Sequence, residues 1–167
     1  GALRQSLILE SDNVDAMRAF IKSLIDQQRN AEVLSLTREL QLKLPFDAEL
    51  WNLRANAHLS LDQFTESVAS LETARLLDWA TSPMLATLGD LYLHREQPQD
   101  AVEAYLEAFS MQKPGVSHLL RAIQGLLEVD ALDGAGELLK RIQALERDDP
   151  LSPDHGQRRD KLAARYA

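Results

Sequence analysis

The sequence predicts an all-α solenoid of stacked antiparallel helix pairs. The main observation is a period of 34 residues, which is typical of repeated supersecondary units that pack only on their neighbours. Composition also favours helices over strands, since the chain is 45% hydrophobic but only 5% aromatic. Sliding the chain by one period superposes similar residues in columns: Trp51, Leu85 and Leu119; Ala55, Gly89 and Ile123; Ala74, Ala108 and Ile142; and, one period earlier, Met17, Ile21 and Leu40.

Each repeat is predicted to contain two helices, because apolar residues recur at helical spacing in two blocks separated by a polar turn. In the third repeat, Ser82 is predicted to cap a helix that begins at Pro83, and Pro98 to begin the second helix. In the second repeat, Asp47 and Asp62 are the predicted N-caps. The predicted helices are 14–27, 31–44, 48–61, 64–78, 82–95, 98–112, 116–129 and 132–147.

The third repeat carries small and aromatic residues at fixed places. These residues are Leu88, Gly89, Tyr92, Ala101, Tyr105, Ala108 and Pro114. This order resembles the pattern of the tetratricopeptide repeat family, which runs Leu-Gly, then Tyr, Ala, an aromatic residue, Ala and a closing Pro. Trp51 of the second repeat stands where that pattern has its leading tryptophan. The resemblance covers residues 48–114 best, and it implies a right-handed superhelix of helix pairs that acts in protein–protein interaction.

Small residues at the helix crossing explain part of this pattern. Gly89 and Ala101 are predicted to let the paired helices of the third repeat approach closely. Ile21 and Val33 stand at the equivalent places of the first repeat, which predicts a wider helix spacing there. Ile123 replaces the first small residue in the fourth repeat, which is therefore a divergent member.

The predicted organisation contains four repeats with partial elements at both ends. Gly134 and Gly136 are expected to weaken the second helix of the fourth repeat by up to about 1 kcal/mol each relative to Ala. The final helix is either a polar cap or the start of a further repeat, and both interpretations stay open. The segments are 1–13, the end of a preceding repeat helix; 14–47, 48–81, 82–115 and 116–149, the repeats; and 150–167, a linker with a capping or partial-repeat helix.

Charge and residue usage argue against several classes of function. The net charge of −8 and the pI near 5.0 disfavour a nucleic-acid surface, which needs clustered Lys and Arg. No apolar run reaches the roughly 20 residues of a membrane span. With no Cys, disulfides and Cys-ligated zinc are excluded, while the compartment, cytoplasmic or periplasmic, stays open.

The sequence also gives no reason to expect an enzyme. The four histidines fall at unrelated phases of the repeat, which disfavours a metal site. Ser110 and Lys113 have a Ser-x-x-Lys spacing, but they stand at the end of a predicted helix without companion motifs. No glycine-rich phosphate loop is present. We therefore expect no catalytic residues, no metal and no cofactor.

A concave groove lined by the first helix of each repeat is the predicted binding surface. Asn52 and Asn56 lie one turn apart there and suit hydrogen bonding to a peptide backbone, although solvated helix positions are an open alternative. Leu120 is also expected to face the groove. The predicted groove residues are Arg18, Lys22, Asn52, Asn56, Asp90, His94, Arg121 and Gln124.

The expected function is a non-catalytic scaffold that holds a peptide or helix of a partner protein in this groove. An alternative is an assembly arm of a larger secretion, polysaccharide-export or envelope complex, which would act by self-association. Apolar side chains at the repeat ends would in that case permit a homodimer. A third possibility is the regulatory region of an enzyme.

Overall fold

The computed structural model describes residues 14–111, 115–148 and 150–166. Within these ranges the chain forms helices and turns, without a strand. The predicted helix end at 1–13 and the closing Pro114 lie outside the described residues. The helices are α1 Val14–Asp26, α2 Asn30–Gln41, α3 Ala48–Leu59, α4 Phe64–Leu76, α5 Ser82–His94, α6 Pro98–Met111, α7 Val116–Glu128, α8 Leu132–Asp148 and α9 Pro153–Tyr166.

The predicted pairing of helices is confirmed. Each of α1 to α8 begins within one residue of its predicted start, and each ends within three residues of its predicted end. The columns of the 34-residue period are buried, apart from Trp51, which is half-buried and donates its indole N–H to the carbonyl of Pro45 at 3.0 Å. The 34-residue period of the sequence thus reflects which side chains are buried between helices.

The turn within each helix pair also repeats at the 34-residue period. Gln28, Asp62, Glu96 and Asp130 all have a positive φ, between 55° and 58°. After α3, the N–H of Asp62 bonds to the carbonyl of Leu59 at 3.1 Å, and the N–H of Gln63 bonds to the carbonyl of His58 at 2.9 Å. These bonds satisfy carbonyl groups at the helix end and turn the chain towards the next helix.

Of the three predicted N-caps, one is confirmed and two are wrong. The side chain of Asp47 accepts the N–H of the third residue after it at 3.1 Å. Asp62 instead occupies the left-handed position of the turn, which leaves the cap position of α4 to Gln63. Helix α5 includes Ser82 as its first residue, so Thr81 rather than Ser82 is at its cap, without a side-chain hydrogen bond.

The described residues form two compact units, divided between Ala80 and Thr81. In the N-terminal unit, α1, α2 and α3 share one core, and α4 packs on α3. The buried hydroxyl of Ser67 on α4 donates to the carbonyl of Ala55 on α3 at 3.0 Å. Contact between α1 and α2 is less extensive than between α3 and α4, as the larger Ile21 and Val33 predict.

In the C-terminal unit, the helix pair α5 and α6 packs closely at Gly89. A Cβ atom at this position would lie 2.5 Å from Cε1 of Tyr105. Tyr105 is buried and stacks on Phe109, with ring centroids 6.1 Å apart. Ala101 is also buried at this crossing. The predicted role of small residues in the third repeat is therefore confirmed.

The glycines of α8 have a packing role as well. A Cβ atom at Gly134 would collide with the side chain of Val102 on α6. At Gly136, it would lie 2.5 Å from the hydroxyl oxygen of Tyr166 on α9. Both positions are buried. The contact at Gly134 restricts a larger residue, whereas the contact at Gly136 is with the outer end of the exposed Tyr166 side chain, which is free to turn away.

Helix α9 packs on α7 and α8 within the C-terminal unit. Its Leu162 is buried, and Arg159 forms an ion pair with Glu146 of α8. The hydroxyl of Ser117 on α7 lies 3.0 Å from Nε2 of His155. Both apolar burial and polar bonds therefore attach α9 to the fourth repeat.

We expect Gly89→Ala to lower the free energy of unfolding by about 1–3 kcal/mol, because the ring of Tyr105 occupies the space of the new methyl group. Gly156→Ala in α9 is the matched control, since a Cβ atom there would meet no heavy atom within 4 Å. This control should gain up to about 1 kcal/mol from helix propensity. Urea denaturation followed by circular dichroism measures both. A Gly89→Ala variant as stable as the parent would show that Tyr105 does not restrict this position.

We expect Asp62→Gly to raise the free energy of unfolding by about 0.5–1 kcal/mol, because glycine adopts the left-handed conformation without the steric cost of a Cβ atom. Ala69→Gly, at an exposed position in the middle of α4, should lower it by about 1 kcal/mol. Thermal and urea unfolding of the two variants give the comparison. A loss of stability in both would mean that the turn does not hold Asp62 in this conformation.

Candidate functional site

The predicted groove residues divide equally between the two units, and each set is described within its own unit. The N-terminal unit carries Arg18 and Lys22 on α1 and Asn52 and Asn56 on α3; the C-terminal unit carries Asp90 and His94 on α5 and Arg121 and Gln124 on α7. All eight lie on first helices of their pairs. Their role in binding stays a prediction.

The two cations of α1 are held by carboxylates near the start of α3. Arg18 forms an ion pair with Asp47, and Glu49 lies 3.3 Å from its guanidinium group. The hydrogen bond to Asp47 raises the pKa of Arg18 above its usual value. Lys22 Nζ lies 2.5 Å from Glu49. Asp47 thus both caps α3 and connects it to α1, and these cations have a structural role that residue spacing did not predict.

Asn52 and Asn56 differ from these cations. Both are half-buried, one turn apart on α3. Across the described ranges, no side chain or backbone group hydrogen-bonds to either side-chain amide. The hydroxyl and N–H of Ser60 bond to the backbone carbonyl of Asn56 and leave its side chain unused. An amide offers two donor hydrogens and an acceptor oxygen. The two side chains are therefore available to an external ligand without the loss of an internal bond.

In the C-terminal unit, Asp90 connects α5, α6 and α7. Its carboxylate accepts the hydroxyl of Tyr105 at 2.6 Å and the guanidinium of Arg121 at 2.8 Å. Burial, together with the hydrogen bond to Asp90, raises the pKa of Tyr105, so its phenol stays a donor. These three side chains border a depression of about 290 Å³ that Leu93 and Gln124 also line.

Helix α9 reaches the first-helix side of the fourth repeat. Arg158 donates to the side-chain carbonyl of Gln124 at 3.1 Å, and the Gln124 amide donates to Glu128 at 3.0 Å. Leu120 is completely buried, so the prediction that it faces an open groove is wrong. The prediction treated this face of α7 as open, whereas α9 packs on α7. His94 is exposed.

A polar cluster that the residue spacing did not predict lies between α2 and α3. Arg54 donates to the side-chain carbonyl of Gln41 at 2.6 Å, and its Nε lies 3.4 Å from Nε2 of His58. The other ring nitrogen of His58 lies 2.8 Å from the side-chain carbonyl of Gln63. The 34-residue period does indicate this cluster, because Arg54 occupies the position that the fully buried Leu88 occupies one repeat later. A charged residue at an otherwise apolar position is the feature that identifies it.

Neither a metal site nor a membrane span is found in the part of the chain that the structure describes. No group of three or more His, Asp or Glu side chains there is arranged to hold a metal ion. None of the helices in this part combines the length and apolar character needed to cross a membrane.

Residues 48–78 match the family model described as tetratricopeptide repeat. Among solved structures, the crystal structure of MamA is 17% identical with a TM-score of 0.70, covering 86% of this chain and 84% of that one. YrrB, described as a TPR protein with an unusual peptide-binding site, is 16% identical with a TM-score of 0.72, covering 98% of this chain and 83% of that one. No curated protein shows significant sequence similarity to the chain.

The matched segment contains the helix pair α3 and α4, whose small residues Ala55 and Ser67 meet at the crossing. The similarity to the solved structures extends over most of the chain. Residues 48–78 therefore form a tetratricopeptide repeat, and the chain has the all-α solenoid fold of tetratricopeptide repeat proteins.

Proposed function

We propose that this chain is a non-catalytic scaffold that binds a peptide or helix of a partner protein on the first helices of its repeats. The fold supports this proposal, since stacked helix pairs expose extended surfaces suited to binding other proteins. The structurally similar YrrB is described as having a peptide-binding site. The observation that carries the proposal is the pair of half-buried side-chain amides, Asn52 and Asn56, on α3.

The chemistry of these amides suits a peptide backbone. Residues four apart on a helix lie about 5–6 Å from each other, which is close enough for one bound segment to contact both. Each amide can donate to a peptide carbonyl and accept a peptide N–H. Their half-burial excludes part of the competing water, so each such bond contributes to affinity as well as to orientation.

The other predicted groove residues have a supporting role in this proposal. Arg18 and Lys22 hold the start of α3, and Asp90 joins Arg121 to Tyr105. A ligand that bound these charges would first have to displace an internal partner. We therefore assign the main backbone contacts to Asn52 and Asn56, and we expect the ion pairs to position the helices.

A second candidate function, assembly by self-association, is favoured by exposed apolar side chains of the N-terminal unit. Leu42 follows α2 and is 85% exposed, and Leu76 ends α4 one period later and is 84% exposed. Nearby in sequence, the exposed Phe46 packs edge-on against Trp79 with ring centroids 5.0 Å apart. Exposed apolar side chains at equivalent places of successive repeats are typical of interaction surfaces.

Replacement of Asn52 and Asn56 by Ala should weaken binding of a partner peptide by about 1–3 kcal/mol, because one or two hydrogen bonds are lost. The probe is a peptide of about a dozen residues selected on the purified chain from a random display library. Titration calorimetry measures its affinity. The control variant is Gln99→Ala/Gln143→Ala, which removes two amides from the second helices α6 and α8.

The control variant should bind the selected peptide like the parent, and both variants should keep the parent's unfolding midpoint. Backbone amide shifts in the presence of the peptide should concentrate on α3. The proposal would be contradicted by shifts confined to second helices, by equal loss of affinity in the two variants, or by a library that yields no peptide above a scrambled control.

For self-association, Leu42→Glu/Leu76→Glu should abolish any rise of the sedimentation coefficient with concentration, since like charges would meet at the contact. Leu132→Glu, at an exposed leucine of the C-terminal unit, is the control. A parent chain that sediments as a monomer at every concentration would exclude this second candidate. An unchanged concentration dependence in the double variant would place the contact elsewhere.

A further inference from the structure

The polar cluster between α2 and α3 contains a hydrogen-bond donor without an acceptor and positive charges without a carboxylate partner among the described residues. We define the Arg54 cluster as Arg38 and Gln41 of α2, Arg54 and His58 of α3, and Gln63 of the following turn. The guanidinium of Arg54 is its centre, bonded to the side-chain carbonyl of Gln41 and adjacent to the ring of His58. His58 and Gln41 are both buried.

The repeat fold itself does not require polar residues at these positions. One period after Arg54 and His58, the third repeat has Leu88 and Tyr92. The fourth repeat has Ala122 and Leu126, which are both buried. Burying a polar pair where neighbouring repeats bury apolar side chains costs free energy unless the polar groups are satisfied. The substitution in the second repeat therefore needs an explanation other than packing.

The cationic groups of the cluster have no carboxylate partner. Within the described ranges, neither Arg38 nor Arg54 forms an ion pair with an acidic side chain. Burial and, secondarily, the nearby charge of Arg38 lower the pKa of Arg54 below its usual value. The free energy of the charged form is thus raised by its surroundings, although the whole chain carries a net charge of −8. An anion bound here would offset both effects.

The side-chain amide of Gln41 independently indicates that an acceptor is missing from this cluster. Its side chain is buried, with the residue 8% exposed, and its amide nitrogen has no hydrogen-bond acceptor among the described residues. The bond from Arg54 to the amide oxygen fixes which end of the amide is the donor. A buried donor without an acceptor is energetically unfavourable, and an oxygen atom of a ligand would satisfy it.

We propose that the Arg54 cluster binds a carboxylate side chain in an acidic segment of a partner protein. The planar guanidinium groups of Arg38 and Arg54 match the geometry of a carboxylate, and Gln41 offers a further donor. Leu42 is one turn after Arg38 and is 85% exposed. A peptide with an apolar residue beside its acidic one can contact this leucine, whereas a small free anion gains nothing from it.

This site is separate from the amide pair of the proposed function. Asn52 and Asn56 alternate with Arg54 and His58 at two-residue offsets, so the two pairs point to different sides of α3. A segment bound at the Arg54 cluster contacts the junction of α2 and α3 rather than the predicted groove. The inference therefore stands or falls independently of binding at Asn52 and Asn56.

The experiment titrates the chain with a blocked peptide of alternating Glu and Leu residues, and separately with its Gln-for-Glu counterpart and with inorganic phosphate. Side-chain ¹H–¹⁵N resonances of Arg54 and Gln41 report binding directly. The acidic peptide should shift both resonances to saturation, and the Gln-for-Glu peptide should not. In Arg54→Leu/His58→Tyr, the Kd for the acidic peptide should rise at least tenfold.

The double variant also separates binding from structure. It introduces the residue types of the third repeat at these positions, so its unfolding midpoint should equal or exceed that of the parent. Arg38→Gln, at an exposed position, should raise the Kd at least threefold without a change in the midpoint, and it decides the matter if the double variant fails to fold. Asn52→Ala/Asn56→Ala should bind the acidic peptide like the parent.

Three results would overturn the inference. The first is equal affinity for the acidic and the Gln-for-Glu peptides. The second is an unchanged affinity in both Arg38→Gln and Arg54→Leu/His58→Tyr. The third is a response of the Arg54 and Gln41 resonances to phosphate with none to the acidic peptide, which would identify a site for a free anion instead of a protein segment.

Discussion

The close approach of the two helices within a pair is the constraint on which the rest of this structure depends. Gly89 leaves room for the ring of Tyr105, and Ser67 reaches the backbone of Ala55 on the preceding helix. Because one face of each first helix is used in this contact, the residues available for binding are limited to its other faces. The position of Asn52 and Asn56 on α3 follows from that limit.

The period predicted the helices and their buried columns because both follow from local spacing and burial. It could not predict that Asp62 would enter the left-handed turn, since an aspartate before an apolar block is equally typical of a cap. The burial of Leu120 was missed for another reason. It depends on where α9 packs, and side-chain spacing within one repeat carries no information on that.

Prediction of the candidate site was limited in the same way. The spacing of Asn52 and Asn56 placed them on one face of a helix, but the partners of Arg18 and Lys22 come from a different helix. The Arg54 cluster is the part of the site that the sequence does indicate, because Arg54 is a cation in a column of the period that is otherwise apolar. Comparison of repeats within one chain thus reveals positions where a polar residue replaces a packing residue.

The tryptophan residues, which dominate the intrinsic fluorescence of a protein, are distributed unequally between the two units. Both tryptophans are in the N-terminal unit, where Trp51 is bonded to the carbonyl of Pro45 and Trp79 packs against Phe46. The buried Tyr105 of the α5–α6 pair belongs to the other unit. Both sources of intrinsic tryptophan emission therefore belong to the first two repeats, and unfolding of the third and fourth repeats has to be followed by a different signal.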